Sequence, residues 1–267
     1  MDAVATVARP GPAPRDGRGR GGFPPLRGLV PLAAALAVWQ VAGDPSSPYF
    51  PTPSQWLAGL ADLGRSGALV PAAGETLVTF GTGLAVAAVL GTALGVAVGT
   101  SKAADRALGP TFEFLRAIPP AAVVPIAALL LGFDQQMKVA VVTFAAVWSV
   151  LLNTRAGIRG IDPVLVDTAR SLHLSRLDTA RKVLLPALAP WIFVGVRVAA
   201  PVALVITLLV EILTRVGGIG ALMAVAQRSY LAGQVYGLIL MAGLFSLAVS
   251  GLVSALEARL FRHHPPR

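Results

Sequence analysis

Long apolar segments alternate with short polar segments along most of this chain of 267 residues. About 20 apolar residues in a helix are enough to cross the hydrocarbon core of a bilayer. We predict six such spans, at residues 26–42, 71–100, 110–133, 137–158, 190–213 and 235–257. The pattern therefore predicts an all-α polytopic membrane protein, with six transmembrane helices in one domain over residues 26–260.

A polar stretch at residues 161–190 interrupts the apolar pattern between the fourth and fifth spans. Asp162 can cap a helix there, and Pro163 suits the first helical position because its missing N–H costs nothing. Apolar side chains then recur at helical spacing, at Leu165, Ala169 and Leu172. We predict a helix, a turn at residues 173–175 and a second helix that ends at the Leu-Pro pair 185–186.

Three interpretations of this polar stretch are open. A basic helix-turn-helix could bind DNA, but apolar spans follow closely on both sides, which argues against a nucleic-acid partner. A solvated loop without a role is the second interpretation. We favour a docking element, because an apolar stripe outside the membrane needs a partner to cover it.

The same stretch resembles the EAA loop of ABC importer permeases. That motif is E-A-A, three residues, G, nine residues, I, one residue and L-P. The matching positions here are Asp167, Thr168, Ala169, His173, Val183, Leu185 and Pro186. His173 replaces a glycine in a turn that needs a positive φ, which His adopts more readily than most residues. Residues 115–126 and 151–163 also resemble the nitrate, sulfonate and taurine branch of this family.

The resemblance implies a type I ABC importer permease fold (MetI-like) and a permease subunit that forms a translocation path. Two copies would pair as a homodimer, and two separate ATPase subunits would bind the ATP and Mg. An extracytoplasmic solute-binding protein would deliver nitrate, a sulfonate, taurine or a related organic compound. The implied ATPase-coupling residues in the loop 161–190 are Asp167, Thr168, Ala169, Leu172, His173, Leu185 and Pro186.

Two features of the spans are candidates for lining the path. Prolines free backbone carbonyls, so a helix that contains them kinks and must be buried in protein or line a cavity. The third span carries three of them, Pro119, Pro120 and Pro125, although a simple packing kink is the alternative. Glu211 lies in the fifth span, where a charge costs roughly 2.5–3.5 kcal/mol and is a functional candidate by default. The alternative to a functional role is that Glu211 forms a local ion pair with Arg215, four residues further along the helix.

Glycines in the second span predict close helix packing. Gly91, Gly95 and Gly99 recur at every fourth position, which places them on one helix face. A helix that is merely rich in glycine is the alternative.

Composition narrows the chemistry. Hydrophobic residues make up 55% of the chain and charged residues 13%, and there is no Cys. No G-x-x-x-x-G-K-[ST] phosphate loop occurs, so the chain is not its own ATPase, and we expect neither an enzyme nor a cofactor or metal in this chain. A secondary transporter coupled to ions or protons is the alternative function, although such proteins usually carry carboxylates near the bilayer midplane. A membrane scaffold without transport is a third.

Positive charge predicts the orientation in the cell inner membrane. With the N-terminus inside, 18 of the 22 Lys and Arg residues lie on the cytoplasmic side and 4 on the outer side. This arrangement predicts a disordered cytoplasmic tail at residues 1–25, a cytoplasmic coupling loop and a cytoplasmic tail at residues 261–267. A first span that is cleaved as a signal peptide is the alternative.

Overall fold

The computed structural model describes residues 24–44 and 47–260. The predicted tail at 261–267, and the part of the predicted tail 1–25 before residue 24, lie outside these residues. All regular secondary structure of the described residues is helical. The helices are α1 (Pro24–Ala42), α2 (Pro53–Arg65), α3 (Leu69–Gly99), α4 (Lys102–Ala117), α5 (Pro120–Leu131), α6 (Gln135–Arg159), α7 (Pro163–Ser171), α8 (Arg176–Thr179), a π-helical segment (Ala180–Leu184), α9 (Leu185–Thr214), α10 (Gly218–Arg228) and α11 (Ala232–Leu260).

Four of the described helical segments are long and apolar enough to cross a membrane. They are α3, α6, the continuous run Ala180–Thr214, and residues Ala232–Glu257 of α11. Helices α4 and α5 make a fifth if the bent pair counts as one span. Helix α1 belongs to a separate compact unit of the chain and contributes a shorter apolar segment, Val30–Ala42. The all-helical membrane class is confirmed, whereas the count of six spans stays a prediction.

Helices α3 and α6 pack with their backbones in close approach. A Cβ added to Gly91 would lie 2.8 Å from the Val150 Cβ, and one added to Gly95 would lie 2.8 Å from the Leu151 carbonyl oxygen. Glycines at both ends of the same stripe, Gly83 and Gly99, meet α6 in the same way. The predicted small-residue stripe is therefore confirmed, and its partner is α6.

Helix α9 also packs closely on α6. A Cβ on Gly195 of α9 would lie 2.9 Å from the Val150 Cα, and one on Gly157 of α6 would lie 2.6 Å from the Trp191 Cγ. Small side chains complete this contact at the fully buried Ala199, Ala200 and Ala203. Helices α3, α6 and α9 thus form the centre of the fold, and α5 covers part of it.

A second apolar cluster joins the shorter helices to this centre. Its buried members come from α2, α10 and α11, and they are Leu63, Ile219, Met223 and Leu238. The Trp56 ring of α2 stacks on the Tyr236 ring of α11 with 5.4 Å between the ring centroids.

The predicted third span, 110–133, is not one helix. Helices α4 and α5 meet at 92°, with the break at Ile118 and Pro119. Both of these residues precede a proline, and the Cδ of a proline pushes the residue before it out of the α region. Ile118 and Pro119 accordingly have extended backbones, with ψ of 122° and 125°. The predicted disturbance of this span at Pro119 and Pro120 is confirmed as a complete break, whereas Pro125 lies inside α5 and does not break it.

Two glycine substitutions on α3 test the contact with α6. Gly95→Ala should destabilise the protein by about 1–3 kcal/mol, because its Cβ would press on the backbone of Leu151. Gly81→Ala is the matched control, since nothing lies within 4 Å of its added Cβ, and helix propensity favours Ala there. Thermal unfolding in detergent measures both. Equal melting temperatures for the two variants would contradict the proposed backbone contact.

Candidate functional site

The first helix of the 161–190 loop begins as the sequence predicts. The Asp162 Oδ1 accepts a hydrogen bond of 2.9 Å from the Val164 N–H, and Pro163 occupies the first helical position. This side chain satisfies one of the N–H groups that have no partner within a helix. The local sequence therefore fixes where α7 starts.

The end of α7 depends on His173. The His173 N–H donates to the Arg170 carbonyl at 2.9 Å, and the Leu174 N–H donates to the Ala169 carbonyl at 3.1 Å. This pair of bonds is the Schellman arrangement, which requires a left-handed residue just after the helix. His173 has a φ of 50°. The expectation that this turn needs a positive φ is confirmed.

The apolar residues of α7 differ in how far their own chain buries them. Ala169 is 2% exposed and is buried within this chain, whereas Leu165 and Leu172 are 47% and 67% exposed. Val164 is a third exposed apolar residue, at 66%. The prediction that this whole stripe is displayed for a partner is therefore wrong for Ala169, which its own chain covers. Ala169 holds α7 on its own protein, and the exposed residues are the ones that a partner could cover.

The polar candidates of α7 face solvent. Asp167 and Arg170 form an i,i+3 ion pair of 3.1 Å, with side chains 68% and 77% exposed. An exposed ion pair of this kind contributes at most about 1 kcal/mol to the stability of the fold. A partner protein could therefore replace it with an ion pair across the interface at little cost in free energy. The Thr168 hydroxyl donates to the Val164 carbonyl of its own helix at 2.7 Å.

A short cap begins the second half of the loop. The Ser175 Oγ accepts a hydrogen bond of 3.1 Å from the Asp178 N–H, and Lys182 pairs with the Asp178 carboxylate at 2.8 Å. The hydrogen bond from Lys182, then the one from Ser175, then the Lys182 charge lower the pKa of Asp178. The carboxylate therefore keeps its negative charge and its hydrogen bonds in neutral solution.

The second helix of the loop does not end at Leu185 and Pro186, as we had predicted. The π-helical segment Ala180–Leu184 runs directly into α9. Pro186 is the second residue of α9 and lies just after this π-helical segment, which is a local adjustment by which a continuous helix can accommodate a proline. The second half of the loop, from Arg176 onward, is thus joined to a membrane-spanning helix by continuous helical backbone, so a displacement of this half would be passed on to α9.

The other end of the loop is tied to α4. The Asp105 carboxylate of α4 forms ion pairs with Arg155 and Arg159, which lie in the last two turns of α6. Its side chain is only 11% exposed. Because α6 leads into α7, these ion pairs connect the start of the loop to the helix that precedes the break at Ile118. The sequence contained no motif for this link, since Asp105 and Arg155 are 50 positions apart.

The predicted path residues lie apart from the loop. Pro119 and Pro120 form the break between α4 and α5, and Pro125 lies within α5. Pro125 lines an apolar groove between α5 and the end of α9, together with Leu213 and Thr214. Whether these prolines line a path stays a prediction.

Glu211 belongs to a buried polar cluster that joins four segments of the chain. Its carboxylate accepts hydrogen bonds from the Thr76 hydroxyl at 2.8 Å and from the Gly220 N–H at 3.1 Å. The Lys138 Nζ lies 3.9 Å from the Glu211 Oε1 and donates to the Val216 carbonyl at 2.8 Å. Both charged side chains are at most 1% exposed. The carboxylate also lies at the N-terminus of α10, where a helix dipole favours negative charge.

The alternative of an ion pair between Glu211 and Arg215 is wrong. Arg215 ends α9 in the left-handed conformation, with a φ of 56°, and only its backbone N–H contacts Glu211, through the carbonyl oxygen. The ion-pair partner is Lys138 of α6. Glu211 is fully buried in this structure, so a role in lining the path would require the cluster to open.

Residues 87–262 match the family described as "Binding-protein-dependent transport system inner membrane component". The chain is 30% identical over 251 residues to the aliphatic sulfonates transport permease protein SsuC of Bacillus subtilis, covering 93% of this chain and 90% of that protein. It is 35% identical over 178 residues to the nitrate import permease protein NrtB of Leptolyngbya laminosa, with coverages of 67% and 64%. It is 28% identical over 250 residues to the bicarbonate transport system permease protein CmpB of Synechococcus elongatus, with coverages of 88% and 90%.

Two solved structures share the fold. An inward-facing structure of the MetNI methionine ABC transporter aligns with a TM-score of 0.61 at 17% identity, covering 76% of this chain and 98% of that chain. A structure of an amino acid ABC transporter with histidines aligns with a TM-score of 0.56 at 16% identity, covering 75% and 97%. At these identities the likeness concerns the fold alone.

The buried pair can be tested by a double-mutant cycle. Lys138→Met or Glu211→Gln alone should lower the unfolding free energy by roughly 3 kcal/mol, because each leaves the other group buried without its partner. The double variant should be less destabilised than the sum of the two by more than about 1 kcal/mol. Asp62→Asn removes an exposed ion pair and should cost under about 0.5 kcal/mol. Additive effects would show that Lys138 and Glu211 do not interact.

Two substitutions at His173 test the left-handed turn. His173→Gly should preserve the loop, because glycine adopts a positive φ without steric cost. His173→Val should destabilise it by about 1–3 kcal/mol, because a β-branched side chain is strained at this φ. Limited proteolysis of the loop measures the difference. Equal cleavage rates in the two variants would contradict the structural role of this turn.

Proposed function

Because this chain belongs to the family of binding-protein-dependent transport system inner membrane components, we propose that it forms one half of a membrane path for a small anion. The chain is a permease subunit of an ATP-driven ABC importer and not an enzyme. The relatives are named for aliphatic sulfonates, nitrate and bicarbonate, which share a negative charge and a compact oxyanion group. Nitrate, a sulfonate, taurine or a related compound, delivered by a solute-binding protein, is the proposed cargo.

The observation that carries the coupling mechanism is the exposed apolar surface of α7. Leu165 and Leu172 lie open on or at the end of a short helix outside the spans, and a turn at residues 172–175 joins this helix to the helical segment that leads into α9. An ATPase subunit that covers these residues would gain roughly 1.5–3 kcal/mol for each fully buried Leu. The ATPase would hold the ATP and Mg, and its closure would move α7 and thereby α9.

The other residues proposed for coupling fall into two groups, those exposed to a partner and those that support the loop from within. Asp167, Thr168 and Leu172 are exposed and would touch the ATPase directly. His173 shapes the turn, Ala169 fixes α7 to its own protein, and Pro186 lies where the loop becomes α9. These positions would transmit force and would not bind the partner themselves.

The path would form between two copies of the chain. Helix α5 exposes long apolar side chains, with Leu129 at 86% and Leu130 at 78%, beside the groove that Pro125 lines. A second copy would cover part of this surface in a homodimer, and membrane lipid would cover apolar residues of α11 such as Leu247, which is 70% exposed. Six spans with both termini in the cytoplasm complete the proposed arrangement.

A charge placed on the exposed apolar surface of α7 tests the coupling mechanism. Leu172→Glu should weaken ATPase association by about tenfold or more, since a carboxylate would have to lose its water in the interface. Ser171→Glu adds the same charge to the neighbouring exposed position and should have a smaller effect. Asp167→Arg should act like Leu172→Glu, because it reverses a charge on the docking surface. Co-purification with the co-expressed ATPase and ATP-driven uptake into liposomes are the measurements.

Full uptake by Leu172→Glu and Asp167→Arg would show that α7 is not the coupling element. The purified permease alone should hydrolyse no ATP above background in the same assay.

A further inference from the structure

A polar cavity lies at the C-terminal ends of α9 and α10. It measures about 570 Å³, which is within the range of roughly 300–1,000 Å³ that small-molecule sites occupy. Arg215 and Arg228 are its charged lining residues, and Ile212 and Leu213 belong to its apolar lining. The lining residues include no carboxylate, so the cavity has two positive charges without a negative charge to balance them.

Both guanidinium groups of this cavity are accessible to a ligand. Arg215 and Arg228 are exposed, and neither forms an ion pair within the part of the chain that the structure describes. Arg65, by contrast, pairs with the Asp62 carboxylate of its own helix at 2.8 Å. Guanidinium has five N–H donors in a planar fork and no acceptor, so the two side chains present only donors, in a geometry that matches an oxyanion.

The backbone of the cavity wall takes a disfavoured conformation at two positions. Arg215 and Tyr230 both have a φ of 56°, in the left-handed region where glycine is the usual residue at a helix end. The Arg215 N–H donates to the Glu211 carbonyl at 2.8 Å and ends α9. The Tyr230 N–H donates to the Gln227 carbonyl at 3.2 Å and ends α10. Glycine would form the same bonds at a lower conformational cost, so both side chains are present at an expense that the helix ends do not require.

A structural role accounts for only part of this arrangement. An arginine at a helix C-terminus interacts favourably with the helix dipole, which applies to both Arg215 and Arg228. The dipole does not explain why Tyr230, which carries no charge, stands where glycine would cost less. Residues in strained conformations cluster at ligand sites, and two of the three described non-glycine residues with a positive φ line this one cavity. A ligand that contacts all three side chains explains the charges and the strained positions together.

The cavity lies beside the proposed path. Leu213 lines both this cavity and the apolar groove between α5 and α9 that Pro125 also lines. With both termini in the cytoplasm, as proposed above, the end of α9 is on the outer face of the membrane. An anion that arrives at this face would therefore meet the two positive charges next to the groove that a second copy would cover.

We propose that Arg215 and Arg228 form an oxyanion-binding site at the outer mouth of the path, which captures a small organic anion such as an alkyl sulfonate. The two guanidinium groups bind the oxyanion group, and Tyr230, Ile212 and Leu213 contact the alkyl part. Water competes for exposed charges, so the site concentrates the anion at the mouth and does not hold it tightly. That this anion is the imported solute rests on the proposed function, whereas the binding itself does not.

The absence of Cys allows a direct test on the purified permease. Ile212→Cys and, separately, Gln227→Cys place a thiol in the cavity and leave the two arginines intact. Two methanethiosulfonate reagents of similar size then report on charge, one with an ethylsulfonate group and one with an ethyltrimethylammonium group. They differ by two charges, so a local potential of about 1 kT per unit charge gives a tenfold ratio of rates after normalisation to a free thiol.

The sulfonate reagent should therefore react about tenfold faster at either cavity thiol. Val70→Cys is the matched control, because Val70 is 78% exposed near the start of α3 and does not line the cavity. Its normalised ratio should be close to one. Ethanesulfonate should slow the sulfonate reagent at the cavity thiols more than sodium chloride does at the same ionic strength, since screening alone depends only on ionic strength.

Three further substitutions, made in the Ile212→Cys background, separate binding from folding. Arg228→Gln should lower the ratio to about threefold, and Arg228→Gln with Arg215→Gly should bring it to about one, because each cation supplies part of the potential. Arg215→Gly and Tyr230→Gly should leave the melting temperature unchanged or raise it, because glycine suits a positive φ. Tyr230→Gly should keep the charge preference and weaken the protection by ethanesulfonate. A purely structural role for Tyr230 would leave that protection unchanged.

The outcomes distinguish this site from the proposed function. Three results would each overturn the site: a ratio near one at both cavity thiols, a preference that survives removal of both arginines, or equal protection by ethanesulfonate and sodium chloride. ATP-driven sulfonate uptake by the reconstituted importer, together with any of them, would leave the proposed function standing. Specific protection by ethanesulfonate in an importer that takes up none of the proposed anions would instead support the site and overturn the proposed solute class.

Discussion

Close backbone contact between α3 and α6 is the constraint on which the rest of the structure depends. Lipid tails are as apolar as a Leu side chain, so helices in a bilayer associate through tight van der Waals packing more than through burial of apolar surface. Gly91 and Gly95 allow that packing because they have no Cβ, and atoms of α6 lie close to the place where a Cβ would be. The third central helix depends on the same contact, since Gly195 of α9 rests on Val150 of α6. A wider gap between α3 and α6 would therefore disturb α9 as well.

Buried polar contacts fix the two ends of this apolar centre. At one end, Glu211 joins α9 and α10 to Thr76 of α3, and Lys138 of α6 lies beside it. At the other end, Asp105 joins α4 to the last turns of α6. Partly satisfied charges are expensive in a medium of low dielectric, so such groups hold their partners in one arrangement. These contacts supply the positional specificity that small, interchangeable apolar contacts do not provide.

Local features of this chain could be predicted from the sequence, and contacts between distant segments could not. The cap at Asp162, the left-handed turn at His173 and the glycine stripe of α3 each follow from the chemistry of a few neighbouring residues. The burial of Ala169 depends on where the chain returns, and helical spacing alone could not show that its own chain covers this residue. The partner of Glu211 was wrong for the same reason, because Lys138 lies 73 positions away in the chain.

The same limit applies to the break at Ile118. Three prolines predicted a disturbance in the third span, but a kink and a complete interruption have the same local signal. The difference arose from two successive residues that each precede a proline, which forces two extended residues in a row. The angle of 92° between the two helices is then set by the surfaces of α6 and α9, on which α5 packs.

Helical continuity and helical interruption have opposite mechanical consequences in this molecule. The second half of the loop continues into α9 without a break in the helical backbone, so a displacement of residues 176–184 would be passed on to α9. Helix α4 is tied to α6 by Asp105, but beyond Ile118 the extended backbones of two residues end its helical hydrogen bonds before α5 begins. Helix α5 packs on α6 and α9 instead, so a displacement of the loop would reach α5 through those packing contacts and not along the backbone from α4.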